Sequence, residues 1–161
     1  MRSKSLVNIL LAVVTVLGTT GARASLLDSR MDAYKVETSK GKVTLHPATV
    51  AEPGNVLEYK LTYTSKADKP LAVQHISVPV PQNTHYLPNS AYTSVASQFQ
   101  VSIDGGKHWE SEPVKRMRKG KDGKLKEVTI PESEYTHLRW QEKNDIGPGA
   151  VQTFHYRVKV L

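Results

Sequence analysis

Residues 56–64 read VLEYKLTYT. Leu57, Tyr59, Leu61 and Tyr63 fall on one side of this stretch, and Glu58, Lys60, Thr62 and Thr64 fall on the other. A repeat of two is the period of a half-buried strand, because successive side chains of an extended backbone point to opposite faces. The same alternation returns at residues 150–160, where Phe154, Tyr156, Val158 and Val160 oppose Thr153, His155, Arg157 and Lys159. It appears again at Phe99, Val101 and Ile103, set between Gln98, Gln100 and Ser102. Residues 71–80 form a less regular apolar run ending at Pro79 and Pro81, which suits a strand end or an edge.

Turn chemistry separates these runs. Pro53-Gly54-Asn55 opens the first, residues 65–70 (SKADKP) close it, and Gly147-Pro148-Gly149 launches the last. No sustained helical period follows residue 24. Many short strands joined by regular turns predict an all-β protein, a sandwich or a barrel. Two further hairpins are expected, one around Lys40-Gly41-Lys42 and one around Lys121-Asp122-Gly123-Lys124, the second with a type I′ turn at Asp-Gly.

The inward sets 57/59/61/63, 99/101/103 and 154/156/158/160 form the expected core, with Trp109 and Trp140 as anchors at or near it. Cysteine is absent from the 161 residues, so the fold rests on burial alone, and thiol catalysis and cysteine metal sites are excluded.

The first residues have a different character. Arg2 and Lys4 precede an apolar run from Leu6 to Leu17, and Ala22-Arg23-Ala24 has the small-x-small form of a cleavage site. This is the layout of a secretory signal peptide, and the run is shorter than a comfortable membrane span of about 20 residues. The expected organisation is a signal peptide at 1–24, a flexible lead-in at 25–33, and a single β-sandwich domain at 34–161. The protein is then exported to the periplasm, the cell surface or the medium, with no integral membrane span left. The formal net charge is +7; without the three cations Arg2, Lys4 and Arg23 it is +4, moderately basic. That balance is compatible with a polyanionic partner without requiring one.

Residues 102–109 (SIDGGKHW) offer a turn in which Asp104 caps backbone amides, glycine accepts a positive φ, and Trp109 folds back. The spacing is similar to the Asp-box of sialidase-type propellers. That motif recurs once per blade, whereas a single copy stands here, so a structural turn is favoured over a sugar site.

Taken together, PGNVLEYKLTYTSKADKPL (53–71), PVPQNTHYLPNSA (79–91), VSIDGGKHW (101–109), YTHLRW (135–140) and GPGAVQTFHYRVKV (147–160) resemble the bacterial repeat family catalogued as domain of unknown function 11. The resemblance covers roughly residues 43–161. Asn55 stands where the family usually has Asp, Val78 where an Asp commonly precedes the first proline, and Asn89 where Gly is common. The resemblance implies an immunoglobulin-like antiparallel β-sandwich on secreted and surface-exposed bacterial proteins. It implies no catalytic residues and no cofactor.

No nucleophile–base motif or phosphate loop is visible, and Glu132-Ser133-Glu134 reads as turn solvation. His46, His75, His85, His108, His137 and His155 are scattered without ligand spacing, which leaves a periplasmic metal-binding protein as the weakest of three readings. The strongest functional feature is the second hairpin, with Lys115, Arg116, Arg118, Lys119, Lys121, Lys124 and Lys126 in a short span. These seven are the candidate anion-binding residues, for phosphate or carboxylate groups of an envelope glycan or lipid. The opposing reading is a solvated edge kept from pairing by its lysines. Nucleic acid is not expected, because the chain is exported and the hairpin lacks interleaved aromatics. The expected function is a non-enzymatic structural or interaction module of the cell envelope, with an envelope protein or a polyanionic polymer as partner.

Overall fold

The computed structural model describes residues 26–73 and 75–161, together with the backbone of Val7–Asn8. The expected signal peptide otherwise lies outside the described residues. The strands are β1 (Val7–Asn8), β2 (Leu27–Ser39), β3 (Lys42–Pro47), β4 (Val50–Ala51), β5 (Val56–Ser65), β6 (His75–Pro79) and β7 (Thr84–Tyr86). They continue with β8 (Tyr92–Thr93), β9 (Ser97–Ser102), β10 (Lys115–Lys119), β11 (Leu125–Thr129), β12 (His137–Glu142) and β13 (Val151–Val160). One 3₁₀ turn at Glu132–Glu134 is the sole helical element among the described residues.

Alternation places the strands in two facing antiparallel sheets. The larger runs β3-β2-β5-β13-β7, with β8 also against β13; the smaller runs β6-β12-β9. The chain changes sheet between β5 and β6, between β6 and β7, between β8 and β9, and between β12 and β13, so neighbours in sequence become partners across the core. β5 and β13 pair over nine positions, with Tyr59 opposite Tyr156 and Leu61 opposite Phe154. Their inward side chains are buried, as the period of two requires. β6, the strand that ends in Pro79, lies at the edge of the smaller sheet. This is where a residue without an N–H is tolerated.

The sheets are joined by aromatic contact. Trp140 on β12 lies 5.4 Å from Phe99, 5.4 Å from Phe154 and 6.3 Å from Tyr156, centroid to centroid. Tyr59 stacks on Tyr156 at 5.2 Å. Trp140 is 1% exposed and is the largest of the fully buried side chains. Phe99 and Ile103, expected in the core, are only partly buried and pack against its margin.

Three expectations need correction. Residues 27–33 are not a flexible lead-in. They form the first half of β2, paired from Leu27 opposite Ser65 to Lys35 opposite Leu57. The row that shares a face with the core side of β5 is Leu27, Ser29, Met31, Ala33, so the alternation is broken by an exposed serine and a half-buried alanine. A strand hydrogen-bonded on one side by β5 and, further along, by β3 forms without a perfect hydrophobic row.

Trp109 is not a core residue: it sits half-buried outside the smaller sheet. Glu58, assigned by period to the solvent face of β5, is buried there by the side chains that converge on it. Its carboxylate accepts hydrogen bonds from Arg157 Nε at 2.8 Å and Tyr92 Oη at 3.1 Å, with His155 Nδ1 at 3.2 Å. Burial alone would raise this carboxyl. The hydrogen bonds from Arg157, Tyr92 and His155 outweigh it and hold the group below the ordinary carboxylate value.

Truncating the inter-sheet wedge, Trp140→Ala, is expected to cost about 3–5 kcal/mol in urea unfolding. Trp109→Ala, which removes only a half-buried ring and a cation–π contact, should cost about 1–2 kcal/mol.

Candidate functional site

The basic hairpin is a two-stranded ribbon of its own. β10 and β11 pair with each other from Lys115 opposite Thr129 to Lys119 opposite Leu125. Neither joins the two large sheets. Buried Val114 and Ile130 root it in the core, with Ile130 N donating to Val114 O at 2.8 Å. Five-residue strands extend roughly 17 Å from that root.

The tip differs from the expected type I′ turn. That turn needs positive φ at two successive residues. Here Gly123 (φ 71°) is the one left-handed residue of the turn. Gly123 N donates to Gly120 O at 3.0 Å, and Gly120 N donates to Lys124 O at 2.9 Å. The connection holds five residues rather than two, so Asp122 keeps an ordinary φ and its carboxylate folds back to accept from Lys124 N at 3.2 Å.

The ribbon has two unlike faces, since residues directly opposite in an antiparallel pair share a face. Arg116, Arg118, Lys126 and Val128 share one. On it, Arg116 forms a two-pronged contact with Glu110, one prong at 2.8 Å. Arg118 does the same with Glu134, at 2.7 and 3.1 Å. Glu110 and Glu134 belong to the body of the protein, so this face is turned inward. Hydrogen bonds from the two arginines hold both carboxyls below their usual value. Glu134 is therefore not idle turn solvation: it is one of two latches.

The other face carries Lys115, Met117, Lys119, Leu125, Glu127 and Thr129. Lys115 pairs with Glu127 at 2.9 Å, and Lys126 on the first face reaches Asp122 at 2.9 Å. The seven sequence-nominated cations thus divide. Lys115, Arg116, Arg118 and Lys126 are neutralised by carboxylates. Lys119, Lys121 and Lys124 have no carboxylate partner among the described residues, and all three are exposed at or beside the tip. Met117 and Leu125, each 60% exposed, lie diagonally across the ribbon on the root side of the tip, Met117 opposite Glu127 and Leu125 opposite Lys119. Sequence reasoning counted the charges but did not separate them. The available signal was residue type, since both arginines are latches and all the free cations are lysines.

The Asp104 turn lies on the flank of the ribbon. Asp104 Oδ1 accepts from Ser102 Oγ at 2.8 Å, His108 N at 3.0 Å and Lys107 N at 3.2 Å, and His108 Nδ1 lies 2.5 Å from Oδ2. The backbone and ring of His108, with Ser102, hold this carboxyl far below the ordinary value. Asp104 therefore caps a turn. The Arg139 guanidinium covers Trp109 at 4.4 Å from its centroid, and His137 meets the ring edge-on. Trp109 borders an open hollow of about 610 Å³ with Ile103, Asp104, His108, Glu110 and Arg116. Its polar groups already satisfy one another: Asp104 holds His108, and Glu110 holds Arg116. Among the described residues no three His, Cys, Asp or Glu side chains come together to hold a metal ion. Among the same residues no helix is long and apolar enough to cross a membrane.

Glu112 sits at the root of the ribbon, where its Oε1 is buried and meets no hydrogen-bond donor of the protein. Burial, and secondarily the charge of Glu132, pushes its carboxyl up to about 7. Tyr86 and Tyr135 line the same root, and the charge of Glu112 reaches both phenols.

Comparison with known proteins gives no match: no family model, no curated protein and no solved structure is similar to the chain.

Glu112 makes stability pH-dependent in a defined direction. Its folded value lies above its unfolded one, so the folded chain binds more protons between about pH 4.5 and 7. Stability from this group is complete at the acid end and is lost as pH rises through that window. Glu112→Gln should flatten the dependence and stabilise the protein at pH 8 by about 1–2 kcal/mol, a figure discounted for partial exposure. At pH 4 it should have little effect. Thermal melts at the two pH values check this.

Proposed function

We propose that the chain is a non-enzymatic interaction module of the bacterial cell envelope, exported by its N-terminal leader, whose ribbon tip engages an anionic partner. The single observation that carries this is the division of charge. Lys119, Lys121 and Lys124 lack carboxylate partners among the described residues, while the ribbon's other four cations are each paired.

The alternative role for lysines on a ribbon is to block edge-to-edge pairing. Lys121 and Lys124 stand in the turn, which presents no strand edge to protect. Three mobile ammonium groups around one turn instead suit phosphate or carboxylate groups spaced along a polymer or a surface. Attraction of this kind is long-ranged at low ionic strength and weakens steeply with salt.

The exported setting rests on the layout of residues 1–24. The motif resemblance to the domain of unknown function 11 family supports a surface-exposed module without a catalytic centre. Of the carboxylates near the ribbon, Asp104, Glu110 and Glu134 are engaged in turn capping or latching.

Two measurements test the proposal. N-terminal sequencing of the protein from the envelope fraction should begin at Ser25. Retention on anionic envelope polymer should fall at least tenfold when Lys119, Lys121 and Lys124 are changed together to Gln. It should change much less when the paired Lys115 and Lys126 are changed. Equal losses in the two variants would show that net charge, and not the tip, governs retention.

A further inference from the structure

We infer that the anionic partner of the ribbon is a lipid surface, with Met117 and Leu125 entering the headgroup region while Lys119, Lys121 and Lys124 hold lipid phosphates. The inference rests on the tip reading above and adds the chemistry of its partner.

The outward face carries more than charge. A glycan or a soluble polyanion has no use for an unbranched thioether and an isobutyl group. Yet Met117 and Leu125 are each 60% exposed on the same face as Lys119. They are diagonal cross-strand neighbours, near enough for long side chains to form one small apolar patch. Ordinary surface design puts polar residues on the free side of a ribbon. Here the lysines border the patch: Lys119 lies directly opposite Leu125, and Lys121 and Lys124 stand in the turn beyond it. On its root side the patch meets Glu127, opposite Met117 and already neutralised by Lys115. An apolar pair bordered by free cations on its tip side matches the two layers of an anionic bilayer surface, in which phosphates lie above acyl chains. Neither term is strong alone, which favours a reversible contact.

The inward face fixes the orientation. Arg116 on Glu110 and Arg118 on Glu134 tie the ribbon to the body along its length. The patch and the free lysines therefore point away from the sandwich together, before any partner is met. Preorganisation of this kind lowers the ordering cost of docking.

Flotation of the exported chain with phosphatidylcholine vesicles, with and without phosphatidylglycerol, tests the inference, with soluble polyphosphate as the charge-only probe. The chain should float with the anionic vesicles and remain behind with the neutral ones. Met117→Ser with Leu125→Ser should lower vesicle partitioning roughly tenfold and leave polyphosphate binding unchanged. Lys119→Gln, Lys121→Gln and Lys124→Gln should each lower both, by roughly fivefold per lysine at low salt. All these residues are exposed, so unchanged melting temperatures verify the fold. Polyphosphate binding without flotation, or flotation untouched by the two serine substitutions, overturns the lipid assignment and leaves the anionic-tip reading standing. Failure to bind either probe overturns both.

Discussion

The wedge of Trp140 between the two sheets is the contact on which the rest depends. Without cysteine, this chain has no covalent means of holding β12 against β13. The large rings of Trp140, Phe154, Tyr156 and Tyr59 do it by burial and by tilted or stacked contact. Tyr86 carries the same packing outward, against Phe99 on one side and Tyr135 on the other. Tyr135 lies beside the root where Val114 and Ile130 anchor the ribbon. The free lysines are thus linked to the centre of the sandwich through a short chain of packed side chains.

The strands of the core were legible because their period is set by the pleat. β5 and β13 alternate without a fault, and the expected inward residues of both are buried. Pro79 announced the edge position of β6. The N-terminal half of β2 was not legible, because an exposed Ser29 and a half-buried Ala33 stand opposite Tyr63 and Tyr59 and interrupt its apolar row. Periodicity reports the chemistry of a face, whereas pairing with a neighbouring strand decides whether the segment is extended. Glu58 shows the same limit from the other direction. Its alternation was polar, yet the side chains of Tyr92, His155 and Arg157 cover it on that face of the sheet. The carboxylate survives burial because Arg157, Tyr92 and His155 converge on it from residues up to 99 positions away. No local pattern contains such a partner.

The hairpin was visible in the sequence as a cluster of cations around Asp-Gly. Which of them are available was not, because Glu110 and Glu134 meet their arginines only after the chain has turned back on itself. Trp109 was misplaced for a related reason. A Trp two residues beyond a glycine turn suits a plug on either side of a sheet, and Arg139 and His137, which hold it outside, arrive from β12.

Residue type explains how the ribbon separates structure from recognition. Arginine offers a planar fork that matches a carboxylate in two places, so Arg116 and Arg118 hold a fixed geometry against the body. Lysine is a compact, well-hydrated charge on a flexible stem, poor at fixing a geometry and suited to meeting phosphates whose positions are not fixed in advance. Reversing the two would defeat both purposes: lysines at the latches would leave the ribbon loosely oriented, and arginines at the tip would favour a single planar partner. The arrangement is therefore that of a rigid arm with an adaptable end. This is also why the body-facing arginines contribute little to the external field. At the ribbon the outward field comes from Lys119, Lys121 and Lys124, which no carboxylate among the described residues neutralises.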